Sequence, residues 1–299
     1  MDVTSYQTTP TTLAQKSASQ WRKKMPYILS FGMLAITTLP IILMYLWLLV
    51  SSFSEQMKYG FIPVKFTLEN WQFLWSDVKF GGSTLPSIWT ATWNSFLFSG
   101  SLTVLEVLIG VMAGYALARI EFPGRQTLMK TTLLLHAFPS VALLIAVFYI
   151  LNFLGLYDSL WGVVLVKTAL QIPMTAWIIK GFFDEVPWDV EWAGMIDGCS
   201  RFKVWYTIVL PLIKPGIAAV SIFSFLSGWS EFLLIYSFIL SDSNVTLSSY
   251  LQKLISDPNM VHYGLLSAVS LFYMVPVLIF FIFTQNSLMQ VSAGGGKRV

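Results

Sequence analysis

Residues 94–118 read NSFLFSGSLTVLEVLIGVMAGYALA, a run of 25 residues in which Glu106 is the one charged side chain. A helix rises 1.5 Å per residue, so about 20 apolar residues cross the roughly 30 Å of hydrocarbon in a bilayer. The run is too long and too uniformly apolar for a barrel strand, whose side chains alternate between two environments. It predicts a transmembrane helix, because a helix satisfies its own backbone hydrogen bonds in lipid.

Similar runs recur along the chain, and the composition agrees with them. Of the 299 residues, 56% are hydrophobic and 11% are charged, whereas charged residues make up about 25% of a typical soluble domain. The sequence therefore predicts an all-α, polytopic membrane protein with about six transmembrane helices. The expected transmembrane domain covers residues 27–288. Its predicted spans are 27–53, 94–118, 128–152, 160–182, 216–240 and 264–288.

The two ends of the chain are predicted to be tails, residues 1–26 and 289–299. Residues 1–21 are rich in Thr, Ser and Gln, which is typical of a loosely held segment. The first apolar run is predicted to be a retained span, because it far exceeds the 7–15 residues of a signal-peptide core.

The distribution of Lys and Arg predicts the orientation. With the N-terminus in the cytoplasm, thirteen of the 18 basic residues fall on the cytoplasmic side and four on the outside. The outside residues are Lys58, Lys65, Lys79 and Lys253. Basic residues concentrate on the cytoplasmic side of membrane proteins. We therefore expect both termini and the link 183–215 to lie in the cytoplasm; the family resemblance described below implies a bacterial or archaeal cytoplasmic membrane.

Several functional classes find no support in the sequence. No basic stripe is interleaved with aromatic residues, so we expect membrane lipid and no nucleic acid as a partner. His136 and His262 have no further ligands at metal-binding spacing. No phosphate-binding loop of the Gly-x-x-x-x-Gly-Lys-Ser/Thr type is present, so no cofactor is expected in this chain.

The link 183–215 is the most charged part of the chain and contains the signals of a short helix. Pro187 suits the first turn, and Asp189 and Glu191 suit the positive end of the helix dipole. Gly198 suits the left-handed position after the last turn. A second helical stretch, 201–210, is expected to end at Pro211, which cannot donate a backbone hydrogen bond.

The predicted short helix carries an apolar row. Trp188, Trp192 and Ile196 lie at positions i, i+4 and i+8 and so share one face. An exposed row of this kind calls for a covering partner, and a protein groove is one candidate. A helix resting on lipid headgroups is the alternative.

The residues Val-Pro-x-x-Val-Glu-x-Ala-x-x-x-Asp-Gly at 186–198, followed after nine residues by Ile208-Val209-Leu210-Pro211, carry a family resemblance. This arrangement resembles the docking loop of binding-protein-dependent ABC importer permeases. It is most similar to the carbohydrate branch, of the maltose, trehalose and glycerol-phosphate type. Residues 66–71, 116–125 and 229–233 are also similar to that branch.

The resemblance implies a permease subunit that forms half of a translocation pathway for a carbohydrate or polyol. It implies a second homologous permease, an extracytoplasmic solute-binding protein and two ATPase subunits that bind ATP and Mg. The loop between spans four and five would then be a cytoplasmic coupling helix. The residues implied in ATPase coupling are Glu191, Trp192, Ala193, Gly194, Asp197, Gly198, Ile208, Leu210 and Pro211. The family pattern has Glu where this chain has Trp192 and Ala where it has Gly194.

Three charged residues lie within the predicted spans, where an unpaired charge is costly. Glu106 and Lys167 are expected to pair with each other across spans two and four. Glu231 has two interpretations: it forms an interhelical hydrogen bond in the bundle core, or it lines the solute pathway. The candidate pathway residues are Trp229, Ser230, Glu231 and Tyr236.

The sequence lacks the features of two other classes of function. A self-contained secondary transporter predicts inverted internal repeats, and residues 27–152 and 160–288 show none. An intramembrane enzyme requires a paired catalytic constellation, which the sequence lacks.

Overall fold

The structure, a computed structural model, describes residues 10–80, 83–256 and 261–294, most of them helical. The α-helices in these ranges are α1 (Pro10–Ser52), α2 (Ile88–Arg119), α3 (Arg125–His136), α4 (Leu144–Phe153), α5 (Leu160–Asp184), α6 (Trp188–Ile196), α7 (Arg201–Val204), α8 (Leu210–Leu212), α9 (Lys214–Trp229), α10 (Leu233–Phe238), α11 (Leu247–Ile255) and α12 (Tyr263–Gly294). Short 3₁₀ turns cover Glu69–Leu74, Ser140–Leu143 and Asp242–Asn244, and a π turn covers Trp205–Val209.

The link between α1 and α2 contains two small antiparallel hairpins. Strands β1 (Met57–Lys58) and β2 (Ile62–Pro63) pair with Met57 opposite Pro63, and β3 (Lys79–Phe80) pairs with β4 (Ser83–Thr84). Nearby, the Asn70 side-chain amide donates to the carbonyl oxygens of Ser52 at 3.2 Å and Ser54 at 2.9 Å. This link is therefore anchored to the end of α1.

Within the described residues, four helices are long and apolar enough to cross a membrane. They are Met25–Ser52 of α1, α2, α5 and Tyr263–Thr284 of α12. A fifth span is counted if the segments Arg201–Leu212 and Lys214–Trp229, which meet at a bend of 73°, are taken together. The predicted all-helical membrane architecture is confirmed, but two of the six predicted spans are interrupted.

The third predicted span, 128–152, consists of α3 and α4 with a 3₁₀ turn between them. The interruption falls at Pro139, which has extended backbone angles and precedes the 3₁₀ turn. Proline has no N–H group and disfavours helical geometry at the preceding residue. The third predicted span is therefore made of two helices that are separated at Pro139.

The fifth predicted span, 216–240, is divided into α9 and α10 by the non-helical residues 230–232. The Leu234 N–H donates to Oε1 of Glu231 at 2.9 Å. This side chain satisfies one of the free N–H groups at the start of α10, as capping residues do. The apolar run gave no sign of this break.

The first helix begins earlier than predicted. It starts at Pro10, so the prediction of a loosely held segment over residues 1–21 is wrong from residue 10 onward. Residues 10–26 include three Lys, two Ala and two Gln, residue types that extend an existing helix at low cost. The remaining parts of the two predicted tails, residues 1–9 and 295–299, lie outside the described residues.

Helix α2 packs along α5 and α9, and small residues permit its close approach to α5. A Cβ atom added at Gly110 would lie 2.4 Å from Cγ2 of Thr175, and one added at Gly114 would lie 2.7 Å from Cγ2 of Ile179. Two glycines four residues apart form the small-xxx-small spacing that brings membrane helices together. The spacing is visible in the sequence and identifies this face of α2.

Asp158 ties the α4–α5 turn to the segment after α10. Its carboxylate accepts hydrogen bonds from the N–H groups of Leu240 at 2.8 Å and Ser241 at 2.9 Å, and from the Ser241 hydroxyl. The Ser241 hydroxyl and N–H, in that order, hold the pKa of the Asp158 carboxyl below its usual value. This contact fixes the ends of three helices relative to one another.

We predict that Gly114→Val separates α2 from α5. A Cβ atom at this position would lie 2.7 Å from Cγ2 of Ile179 and 3.1 Å from the Ala176 carbonyl oxygen, so the valine side chain would collide with both. The apparent melting temperature of the purified protein in detergent should fall, as expected for overpacking that costs about 1–3 kcal/mol. Gly100→Ala on the same helix is the control, because no atom lies within 4 Å of its added Cβ. Equal melting temperatures for the two variants would contradict the assigned contact.

Candidate functional site

Helix α6 lies between α5 and the segment 201–212, and its ends match the sequence signals. Pro187 occupies the position before the first turn, with extended backbone angles of φ −61° and ψ 141°. Gly198 has φ +85°, the left-handed conformation that glycine adopts without strain. The N–H of Gly198 donates to the Met195 carbonyl and that of Cys199 to the Gly194 carbonyl, both at 3.1 Å. These two bonds form a Schellman motif, so α6 is closed firmly at its C-terminus.

The inner face of α6 carries a buried ion pair. Nε of Arg119, at the end of α2, lies 2.5 Å from Oε1 of Glu191, and the two side chains are 2% and 1% exposed. The Tyr115 hydroxyl donates to the other carboxylate oxygen of Glu191 at 3.1 Å. Arg119 also donates from Nη2 to the Val186 carbonyl oxygen at 2.7 Å. A single cluster of polar groups therefore attaches both the α5–α6 connection and α6 itself to α2.

Two further contacts surround this ion pair. The guanidinium carbon of Arg119 lies 4.6 Å from the ring centre of Trp188, a cation–π distance. Arg201 donates from Nη2 to the Arg119 carbonyl oxygen at 3.2 Å and from Nε to the Tyr115 hydroxyl at 3.4 Å. The start of α7 is thereby attached to the same cluster.

Gly194 also lies on the inner face. It is buried, and a Cβ added there would lie 2.9 Å from Cδ1 of Ile208 and 3.0 Å from Cγ2 of Val204. The glycine at this position, where the family pattern has Ala, lets α6 pack closely on the segment 201–212. Glu191 and Gly194 thus contact the rest of the chain and are not available to a partner surface.

The outer face of α6 is apolar and exposed. Trp188, Trp192 and Ile196 are 39%, 52% and 84% exposed, and the two indole rings lie 6.1 Å apart. Ala193, Asp197 and Gly198 are exposed as well. The predicted row of three side chains on one face is therefore present and uncovered within the described chain.

The other loop residues implied in coupling lie on the segment that follows. Ile208 and Leu210 are partly buried and pack against the cluster beneath α6, whereas Pro211 is exposed. Residues 205–209 form a π turn, and the chain then bends by 73° into α9. The segment 201–212 thus packs against the buried face of α6 and leads, through the bend, into the next predicted span.

The predicted pairing of Glu106 with Lys167 is wrong. Lys167 Nζ lies 2.5 Å from Oε2 of Glu231, and Glu106 accepts hydrogen bonds from the hydroxyl groups of Thr175 and Ser224. Loop length and helix rotation decide which charged groups face each other. The sequence pattern alone does not specify the arrangement that results. Of the two interpretations of Glu231, the structure has the interhelical contact, because Glu231 pairs with Lys167 of α5 and 8% of its side chain is exposed.

The remaining pathway candidates are divided between core and surface. Trp229 is 2% exposed, and its ring packs against Phe96, Phe225 and Tyr273. Ser230 and Tyr236 are exposed, with Tyr236 at 61%. Trp229 is therefore a packing residue in this conformation, while Ser230 and Tyr236 are accessible.

Arg119 and Tyr115 are the functional residues that the sequence analysis missed. Arg119 lies in the segment 116–125, which is similar to the carbohydrate branch. Its sequence context predicts only a basic residue on the cytoplasmic side. The available signal was its place at the end of an apolar run, in a chain whose predicted cytoplasmic helix contains an unpaired Glu.

The chain has clear relatives. The family model for the binding-protein-dependent transport system inner membrane component matches residues 106–288, and the chain belongs to this family. It is 31% identical to the diacetylchitobiose uptake system permease protein NgcG of Streptomyces coelicolor, over 94% of this chain and 92% of that protein. It is also 31% identical to the maltodextrin transport system permease protein MdxG of Bacillus subtilis, over 68% of this chain and 74% of that protein.

The fold has a counterpart among solved structures. A chain of a bacterial ABC transporter that imports the acidic polysaccharide alginate matches with a TM-score of 0.73 and 18% identity, over 89% of this chain and 97% of that chain. The protein is therefore an inner-membrane transport subunit and not an enzyme. A self-contained secondary transporter does not fit this family, whose members are components of binding-protein-dependent systems.

We predict strong energetic coupling between Arg119 and Glu191. Removing one partner with Arg119→Met or Glu191→Gln leaves a buried charge unpaired, which costs about 3–5 kcal/mol. The double variant should lose much less than the sum of the two single losses. Chemical unfolding in detergent of the four proteins measures the coupling.

The ion pair between Lys253 and Asp242, whose side chains are 37% and 66% exposed, is the control. Exposed pairs contribute about 0–1 kcal/mol, so its cycle should show weak coupling. Additive losses at Arg119 and Glu191 would mean that the two side chains act independently.

Proposed function

We propose that this chain is one permease subunit of an ATP-driven importer for a carbohydrate or polyol. The main support is the exposed apolar face of α6, which is held in a fixed position by the buried contact between Arg119 and Glu191. The named relatives include permeases for diacetylchitobiose and maltodextrin, which supports a carbohydrate as the solute.

In this proposal α6 is the coupling helix. Trp188, Trp192 and Ile196 dock into a groove of an ATPase subunit, in the manner of an amphipathic helix in a hydrophobic cleft. Two ATPase subunits bind ATP and Mg, while a second permease completes the pathway and an extracytoplasmic binding protein delivers the solute. Both termini and the segment 183–215 lie in the cytoplasm, as the distribution of basic residues favours.

The proposal is tested by purifying the tagged protein from its own membranes in mild detergent. We expect a complex with two ATPase copies and a second permease. Reconstituted with its binding protein, it should take up labelled maltotriose, trehalose or diacetylchitobiose only when ATP is present. A functional complex without an ATP-hydrolysing subunit would contradict the proposal.

We predict that Ile196→Asp weakens ATPase docking, because it places a charge in an apolar contact that must lose water. Burying an unpaired polar group costs on the order of 1–3 kcal/mol, so recovery of the ATPase should fall roughly tenfold or more. Ile62→Asp is the matched control, since Ile62 is also an exposed isoleucine but lies in β2 of the outer link. Equal ATPase recovery with both variants would show that α6 does not form the contact.

We predict that Gly198→Val uncouples ATP hydrolysis from uptake while membrane insertion stays normal. No atom lies within 4 Å of the added Cβ, so the penalty comes from the backbone at φ +85°. A β-branched residue is strained there, whereas Asn tolerates this conformation. Gly198→Asn is therefore the control. Solute uptake per ATP hydrolysed is the measurement, and normal uptake by the Val variant would count against a rigid coupling helix.

A further inference from the structure

Helices α5 and α9 are connected by a series of polar contacts within the predicted spans. On α5 the polar residues recur at i, i+4 and i+8, and on α9 and its C-terminal break they recur at i, i+3 and i+7, so each set occupies one helix face. The contacts are Lys167 with Glu231, Gln171 with Ser227, and Thr175 and Ser224 with the shared carboxylate of Glu106 on α2. We call this series the polar seam.

The polar seam is shielded from solvent to different degrees: Glu106, Thr175, Ser224 and Glu231 are buried, and Lys167, Gln171 and Ser227 are partly buried. Its contacts are short. The Gln171 side-chain nitrogen donates to the Ser227 hydroxyl at 2.7 Å, and the Ser224 hydroxyl donates to Glu106 at 2.6 Å. The side chains of Lys167 and Glu231 are 17% and 8% exposed. An apolar contact of similar volume would avoid the cost of removing charges from water. Polar side chains at these positions therefore give the two helices a fixed register at a cost in desolvation.

One end of the polar seam lies at the break between α9 and α10. Oε1 of Glu231 accepts the N–H of Leu234 at 2.9 Å, and the Ser248 hydroxyl donates to the Glu231 carbonyl oxygen at 2.5 Å. Lys167 is bonded to the other carboxylate oxygen. The carboxylate that shapes the break is therefore attached directly to α5.

The opposite ends of both helices lead to α6. Helix α5 ends at Asp184, four residues before α6 begins, and α9 begins at Lys214 directly after the segment that supports α6. From Lys167 to Asp184 the helix spans about 25 Å at 1.5 Å per residue. A displacement of α6 therefore reaches α5 at Asp184 and α9 at Lys214, the ends next to α6. The polar seam connects the two helices at their other ends, where Lys167 pairs with Glu231.

We propose that Lys167 and Glu231 are positioning residues that make α5 and α9 move as one body, so that a displacement of α6 arrives at the break between α9 and α10. This inference rests on the proposed function. In it, Lys167 holds the Glu231 carboxylate, and Glu231 sets the direction in which α10 leaves the break. The two residues act on the pathway through the helices and need not contact the solute.

The test uses the complete reconstituted complex with its binding protein and the same three labelled sugars. Lys167→Met and Glu231→Gln should retain ATP hydrolysis while uptake per ATP falls roughly tenfold, the range found for residues that carry coupling between sites. Lys167→Arg keeps the charge and should retain coupling. Lys180→Met is the matched control, because Lys180 is on the same helix and pairs with Asp184 outside the polar seam.

The double variant Lys167→Met with Glu231→Met addresses the possibility that a single unpaired charge prevents folding. It removes both charges of the pair, so neither is left without its partner, and the variant should assemble and still lose coupling. Normal uptake per ATP in the double variant would overturn the proposal. A raised KM with unchanged uptake per ATP at saturation would also overturn it, because the pair would then be a solute contact. Absence of ATP-dependent uptake by the wild-type complex, measured first, would contradict the proposed function instead.

Discussion

The buried contact between Arg119 and Glu191 determines how α6 and the segments around it are arranged. Two charges removed from water require close compensation, and here it comes from Tyr115, the Val186 carbonyl oxygen and the ring of Trp188. Tyr115 comes from α2, the Val186 carbonyl from the α5–α6 connection and Trp188 from α6 itself. Because the pair orients Glu191 inward, the side of α6 that carries Trp192 and Ile196 faces outward, and Trp188 lies at the edge of that side against Arg119.

The membrane part follows a related rule with different residues. Glycine at positions 110 and 114 lets α2 approach α5 closely, while the polar seam fixes the register between α5 and α9. Close packing alone allows helices to slide, whereas hydrogen bonds between defined side chains do not. Both devices involve α5, the helix that leads directly into α6. The contacts that fix the helices therefore continue from α6 to the break between α9 and α10.

The sequence predicted those features that depend on neighbouring residues. Run length and composition identified the membrane helices, and Pro187 and Gly198 marked the limits of α6 to within two residues. The i, i+4, i+8 spacing identified the exposed face, because helical periodicity alone decides which side chains share a side. Periodicity does not show what covers a given face. The sequence therefore does not distinguish a Glu191 that faces inward from a Glu191 that contacts a partner subunit.

The features that the sequence did not predict depend on contacts between distant segments. Lys167 has two carboxylates within predicted spans as possible partners, and nothing local favours Glu231 over Glu106. The break between α9 and α10 arises in an apolar run because the Glu231 side chain replaces a backbone acceptor. Thus the same residue explains both the wrong pairing and the missed interruption. A charged group within an apolar run is best interpreted together with the helix continuity around it, because satisfying that charge can determine where the helix ends.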